Sequence, residues 1–138
     1  MASSPLNVFK QPLRLFSQQP VTGFYRDGFC RTGAIDPGNH AVAAIVTDEF
    51  LDFSASRGND LRSIGLKGGC RWCLCTARWL EAFHAYRSGK VSNLGVPRVD
   101  LDATEDSALK MVDMEAFREF AIRHEQQSSG SPSGNSAA

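Results

Sequence analysis

Residues 65–79 read Gly-Leu-Lys-Gly-Gly-Cys-Arg-Trp-Cys-Leu-Cys-Thr-Ala-Arg-Trp. The stretch opens as a glycine-rich turn, becomes a β-prone apolar run over 72–75, and then meets Thr76, whose hydroxyl can accept an N–H left over in a first helical turn. A helical pattern follows at once. Trp79, Leu80, Phe83 and Tyr86 recur at spacings of three and four, the stripe that packs a helix on a core. That helix is expected to stop near Ser88 and Gly89, where glycine takes the left-handed C-terminal position.

The same order of apolar run, threonine and helical pattern occurs at residues 41–46 before Thr47 and at 99–103 before Thr104. Asp48 and Glu49 follow Thr47, and Glu105 and Asp106 follow Thr104, acids that favour the positive end of a helix dipole. A last helix is expected over 113–123, presenting Met114, Phe117 and Ala121 with Phe120 beside them. Residues 20–40 carry Gly23, Gly28, Gly33, Pro37 and Gly38 after Pro20, and read as an ordered loop with one short strand at Phe24 and Tyr25. Three strand-to-helix units with few, short strands predict one α+β domain, a small sheet covered by helices. Its body should span residues 6–125. Residues 1–5 and the Ser/Gly-rich stretch 126–138 lack the apolar content to offset ordering and are expected to be disordered.

A chain of 138 residues suits one core. Its 15 basic and 15 acidic side chains cancel, so no long-range field draws it to a phosphate backbone or an anionic membrane. Residues 1–20 hold no signal-peptide-length apolar stretch, and no window approaches the roughly 20 apolar residues of a membrane helix. The expected address is the cytoplasm. In that reducing compartment four cysteines read as free thiols, metal ligands or redox groups rather than structural disulfides. Neither Gly-x-Gly-x-x-Gly nor a Walker pattern occurs, which argues against a nucleotide cofactor.

Three longer motifs stand out: Thr22-Gly-Phe-Tyr-Arg-Asp-Gly-Phe-Cys30, Thr47-Asp-Glu-Phe-Leu-Asp-Phe-Ser-Ala-Ser-Arg-Gly-Asn-Asp-Leu61 and Arg71-Trp-Cys-Leu-Cys-Thr-Ala-Arg-Trp79. Together they make the chain resemble the family called domain of unknown function 2237, from about residue 7 to about residue 120. The resemblance implies a compact single domain and no particular activity. Members of that family often carry cysteine where this chain has Phe16, Phe29 and Ala43, aspartate where it has Cys70, and histidine where it has Glu105. The loop at 61–65 is shortened and the stretch 88–97 lengthened. These departures are consistent with a specialised member, for example one recruited to a biosynthetic pathway.

The chemistry-bearing residues fall into two groups. Cys73 and Cys75, two apart on a strand, should share a face, and Cys75 precedes a helix N-terminus that favours a thiolate. Cys70 and Cys73 add a Cys-x-x-Cys spacing. The alternative is that these cysteines are small buried hydrophobes. Zinc would draw on Cys70, Cys73 and Cys75 with Cys30 or His40 completing the set, but a second ligand pair is missing, so no cofactor is expected and zinc is the alternative. The other group is polar and lies in loops: Arg26, Asp27, His40, Asp48, Arg57, Asn59 and Asp60. Arginine in a glycine-flanked turn suits a carboxylate or phosphate. Its alternative is that Arg57 and Gly58 end a helix, with Asp27 or Asp60 pairing Arg57.

The resulting expectation is a domain that binds a small anionic or polar molecule, with catalysis on it left open, between loop 22–40, the corner at 57–60 and the strand at Cys73. Arg26, Asp27, Arg57, Asn59, Asp60 and Arg78 would bind it. His40 or Asp48 would move protons, with His40 activating Cys73 or Cys75 as nucleophile if they lie within reach. A non-catalytic protein-interaction module and a thiol or metal module are the alternatives.

Overall fold

Three short strands form the sheet of the computed structural model, which describes residues 5–19, 21–33 and 35–122. Strand β1 (Val42–Ile45) is central, with β2 (Arg71–Leu74) on one side and β3 (Arg98–Val99) on the other, both antiparallel to it. The register sets Ala43 opposite Cys73, and Ala44 between Trp72 and Val99. Alternation then sorts the side chains onto two faces. Val42, Ala44, Leu74 and Val99 enter the main core with the helices, while Ala43, Ile45 and Cys73 meet Phe16, Cys30 and Ala103 in a smaller cluster on the other face. The fold is α+β, as the sequence predicts.

Helix α1 (Asp48–Ser56) starts as expected, with the Thr47 hydroxyl accepting the Phe50 N–H at 3.0 Å and two acids in its first turn. Helix α2 (Thr76–Arg87) ends at Ser88, and Gly89 takes φ +80°. Its stripe buries Trp79 completely against Phe83, Phe117 and Phe120, with ring centroids 5.5, 4.8 and 6.1 Å away. Such pairs are worth about 0.5–1.5 kcal/mol each beyond the area they bury. The indole N–H donates to the Pro97 carbonyl at 3.0 Å, so the one polar atom of the ring is satisfied. Helix α3 (Met114–Glu119) supplies Phe117.

Several expectations change. Cys75, not Thr76, holds the cap position of α2 and no side chain caps it; Thr76 is the first helical residue, and its hydroxyl donates instead to Asn39, 2.6 Å from Oδ1. Thr104 starts no helix. It follows the 3₁₀ turn Leu101–Ala103, and its hydroxyl accepts the Ala43 N–H and donates to the Asp100 carbonyl, tying β1 to the segment after β3. The third unit is therefore strand to 3₁₀ turn rather than strand to helix. Phe24 and Tyr25 lie in turns, not a strand. The last helix, expected to run to Arg123, stops at Glu119; of the residues expected to be disordered only Pro5 is described, its carbonyl accepting the Leu13 N–H at 3.1 Å, and residues 1–4, Arg123 and 126–138 lie outside the described residues.

The larger correction concerns the cysteines. Cys30 and Cys73 form a disulfide with Cα atoms 5.1 Å apart, and both are buried. Cys73 is thus not a free thiol, and Cys75 lies past the end of β2, so the two do not pair on a strand face. The partners are 43 residues apart in sequence, a proximity that spacing cannot reveal. Of the four cysteines considered for zinc, Cys70 and Cys75 remain free. Among the described residues no three His, Cys, Asp or Glu side chains converge as a metal site. A bond closing a loop of this size stabilises by about 2–4 kcal/mol, mainly by restricting the unfolded chain. Protein unfolded without reductant should therefore take up alkylating reagent only at Cys70 and Cys75, and Cys30→Ala with Cys73→Ala should lower unfolding stability by about 2–4 kcal/mol in a denaturant titration.

Candidate functional site

In the antiparallel ladder, Cys73 sits opposite Ala43 with its backbone polar groups turned away from β1. The Thr22 hydroxyl accepts the Cys73 N–H at 2.7 Å and so docks loop 22–40 along the free edge of β2. A groove of about 340 Å³ runs there, walled by Gly23, Phe24, Arg26, His40, Ile64 and Trp72. At its inner end His40 and Trp72 also bound a cavity of about 190 Å³, together with Asn59, Cys75 and Arg78. His40, Cys75, Arg26, Asn59 and Arg78 thus come together, with the disulfide at Cys73 in the groove wall.

The loop is held in sparsely populated conformations. Arg26 has φ +56° and Asn39 φ +48°, two of three non-glycine residues in the left-handed region among those described. Such backbone costs about 1–3 kcal/mol and persists only where its surroundings impose it. For Arg26 the turn Gly23-Phe24-Tyr25-Arg26 imposes it: the Arg26 N–H and the guanidinium Nη1 both donate to the Gly23 carbonyl, at 2.9 and 2.7 Å. Gly23 is required, since a Cβ there would lie 2.3 Å from the Phe29 carbonyl oxygen. The guanidinium stacks on Trp72, 5.1 Å from the ring centroid. No carboxylate among the described residues pairs with it.

For Asn39 the cause is a polar network. Its amide donates to Thr32 Oγ1 and Ser107 Oγ, its oxygens accept from Thr76, and Glu105 accepts from both the Thr32 hydroxyl and Ser107. The next residue, His40, donates its backbone N–H to Asp36 Oδ2 at 2.9 Å, and its Nδ1 lies 2.8 Å from Asp36 Oδ1. The Asp36 side chain is fully buried. A carboxylate only accepts, so Nδ1 carries the proton, and Nε2 is left without a partner among the described residues. Gly38 makes room for this ring, because a Cβ there would meet Cε1 at 2.6 Å.

The other expected residues turn elsewhere. The Arg57 Nε pairs with Glu81 at 2.9 Å, not with Asp27 or Asp60, and Arg57 ends α1 ahead of Gly58 at φ +87°, as its alternative reading has it. Arg78 keeps one nitrogen on Glu81 and on the Arg57 carbonyl. Asp60 caps the 3₁₀ turn Leu61–Ile64 through the Arg62 N–H, and Asp48 accepts the Gly68 N–H near the start of α1. Trp72 is half-buried and forms the groove wall, whereas Trp79, Phe50 and Phe83 are core. Phe16 and Ala43, two positions where the resembling family carries cysteine, pack around the disulfide. Asp36 was missed; its spacing of four from His40 within a Pro-Gly turn was the available signal.

Asp27 holds the turn from outside the groove. Its Oδ1 accepts the Phe29 N–H, and its Oδ2 pairs with Arg31 at 2.7 Å, whose guanidinium stacks on Tyr25. Burial works to raise the Asp27 pKa, but the Arg31 guanidinium and the Phe29 N–H together outweigh it and hold the carboxyl below its ordinary value.

A family model described as an uncharacterized protein conserved in bacteria (DUF2237) matches residues 6–121. No curated protein matches the chain.

The depressed Asp27 pKa fixes the sign of a pH effect. The carboxylate stabilises the folded state above the unfolded value near 3.8, and that contribution is lost as pH falls through the lower folded value. Asp27→Asn should be less stable than the parent at pH 6, and chemical denaturation should show the difference shrinking below pH 3.8.

Proposed function

Since the chain belongs to the uncharacterised DUF2237 family, whose description carries no activity, we propose from the groove itself that it binds a small anionic or polar molecule along the free edge of β2. The observation that carries this reading is Arg26, a guanidinium fixed by its own turn and by Trp72, facing a groove with no carboxylate of its own to neutralise it. A charge-assisted contact from such a preorganised group contributes about 1.5–3 kcal/mol. Trp72, Phe24 and the exposed Ile64 give the groove apolar walls, which favours a ligand with an apolar body and an anionic head. Arg78 and Asn59 offer further polar contacts at the inner end.

The reading needs no resident cofactor, and the cancelling charges support neither nucleic acid nor an anionic membrane as partner. Among the described residues no helix is long and apolar enough to cross a membrane. A cytoplasmic location is part of the proposal. Cys30 is fully buried and Cys73 only 2% exposed, which limits the access of soluble thiols to the sulfurs and makes the disulfide compatible with it. One observation favours the second reading, a protein-interaction module: a cleft of about 430 Å³ between α1 and α2, floored by Phe53, Leu80 and Ala85 and rimmed by Arg57, Glu81 and Lys90.

The two readings separate in one titration. In a Trp79→Phe background the fluorescence of Trp72 should respond to benzoate or inorganic phosphate, and Arg26→Ala should weaken that binding about tenfold or more. Arg57→Ala, whose side chain rims the other cleft, should leave it unchanged. Equal binding by the Arg26 variant would remove the anion-anchoring role.

A further inference from the structure

Anion binding leaves three groups at the inner end of the groove unused. Cys75 is a free, half-buried thiol at the cap of α2, a helix of 12 residues whose N-terminus no side chain caps. Across the 190 Å³ cavity from it stands His40, with Nδ1 committed to the fully buried Asp36 and Nε2 open. No hydrogen bond joins the thiol to the imidazole. The cavity between them has the size of a small acyl group with its leaving atom, or of a few waters at about 30 Å³ each. The two are held in this relation from both sides, because the Thr76 N–H and hydroxyl both donate to the Asn39 carbonyl, binding the residue after Cys75 to the residue before His40.

We propose that Cys75, His40 and Asp36 form a nucleophilic thiol site that accepts an acyl group from an activated carboxylic ester or thioester. This rests on the groove being a small-molecule site, with Arg26 holding an anionic part of the acyl donor. In the first step His40 Nε2 takes the thiol proton, directly or through one water, and the Cys75 Sγ electron pair forms a bond to the carbonyl carbon while the C=O π pair moves onto oxygen. In the first turn of α2 the Thr76 N–H is taken by the Asn39 carbonyl and the Arg78 N–H by the Cys75 carbonyl, which leaves the Ala77 N–H, with the helix dipole, for that developing negative charge. The oxygen pair then re-forms the carbonyl, the bond to the leaving alkoxide or thiolate breaks, and His40 returns the proton to it. Water, deprotonated by His40, adds to the Cys75 thioester; collapse releases the carboxylic acid and restores the thiol. Nothing is oxidised or reduced. Asp36 does not touch the acyl group; it is a positioning residue that keeps the proton on Nδ1 and the basic nitrogen toward the cavity.

Cys70 provides an internal control, being the other free and half-buried thiol, packed against the main core. With p-nitrophenyl acetate followed by intact-mass and peptide analysis, Cys75 should acetylate at least tenfold faster than Cys70. His40→Gln should slow Cys75 about a hundredfold while leaving Cys70 as it was. Asp36→Asn should slow Cys75 and displace the pH profile of its acetylation, which a loss of folding alone would not do. Equal rates at the two thiols in the parent protein would overturn the proposal, whether or not the His40 variant folds, and so would an unchanged Cys75 rate in a folded His40→Gln. Benzoate binding measured on the same sample separates the outcomes: binding without preferential Cys75 acetylation sinks the acyl site alone, and absence of both sinks the binding reading with it.

Discussion

The bond between Cys30 and Cys73 sets where the loop of residues 22–40 can go, and the groove exists only because the loop goes there. A segment with no helix or strand of its own and several glycines has little to hold it on a sheet edge by packing alone. Three attachments converge instead on the same two strands. The disulfide joins the loop to β2, the Thr22 hydroxyl takes the Cys73 N–H, and Cys30 bridges to Thr104, whose hydroxyl in turn takes the Ala43 N–H of β1. The attachments use backbone groups that the three-stranded sheet leaves over. Docking the loop on the free edge of β2 therefore also satisfies the Cys73 N–H, which the ladder leaves over. The face of the sheet away from the helices is closed by the same device, with Phe16, Ala43 and Ala103 packed around the sulfurs.

What the covalent link leaves adjustable, local strain and hydrogen bonding then fix. Arg26 and Asn39 occupy left-handed backbone, which asparagine tolerates better than arginine; Arg26 lines the groove and Asn39 precedes His40, which also lines it. A loop under no functional demand would place glycine at such positions, as this loop does at Gly23 and Gly28. Arginine at the first of them gives the turn a guanidinium aimed over Trp72. Asparagine at the second gives a side chain that reaches Thr32, Ser107 and Thr76 at once. Glu105 closes this network as a buried carboxylate with donors from Thr32 and Ser107. Losing Thr32 or Ser107 leaves the buried Glu105 carboxylate short of a donor, at about 1–3 kcal/mol.

The parts of the fold legible in the sequence are those set by neighbours in the chain. The run 41–46 before Thr47, with Asp48 and Glu49 behind it, gives β1 and α1 where expected, because cap, dipole and apolar period all act within one turn. The stripe from Trp79 to Tyr86 is equally local. Thr76 and Thr104 mislead because a threonine hydroxyl serves any nearby polar group. At both sites a partner from a distant segment, Asn39 or Ala43, outcompetes the cap. The candidate site divides in the same way. Arg26, His40, Asn59, Cys75 and Arg78 converge, whereas Arg57 is claimed by Glu81, a pairing that depends on which helix faces which, and Asp27 by Arg31 four residues on in the same loop. The disulfide, which positions the whole loop, was the least legible feature, since an expectation of reducing conditions argued against it and 43 residues separate the partners.

The link between Asn39 and Thr76 bears on how such a site can work. His40 and Cys75 come from a loop and a helix that share no continuous element. Each is nevertheless one residue from a partner of a double hydrogen bond, with the Asn39 carbonyl and Oδ1 both taken by Thr76. Preorganisation of this kind matters because a displacement of about 1 Å between base and nucleophile can cost a hundredfold in rate. His40 and Cys75 bound one cavity with no hydrogen bond between them, which leaves room there for the reacting group. The anion anchor stands apart from this pair. Arg26 is held by its own turn, and its position owes nothing to Asn39 or Thr76. The proposed binding and the proposed chemistry thus rest on separate supports within one groove, which is why substitutions at one can be read without disturbing the other.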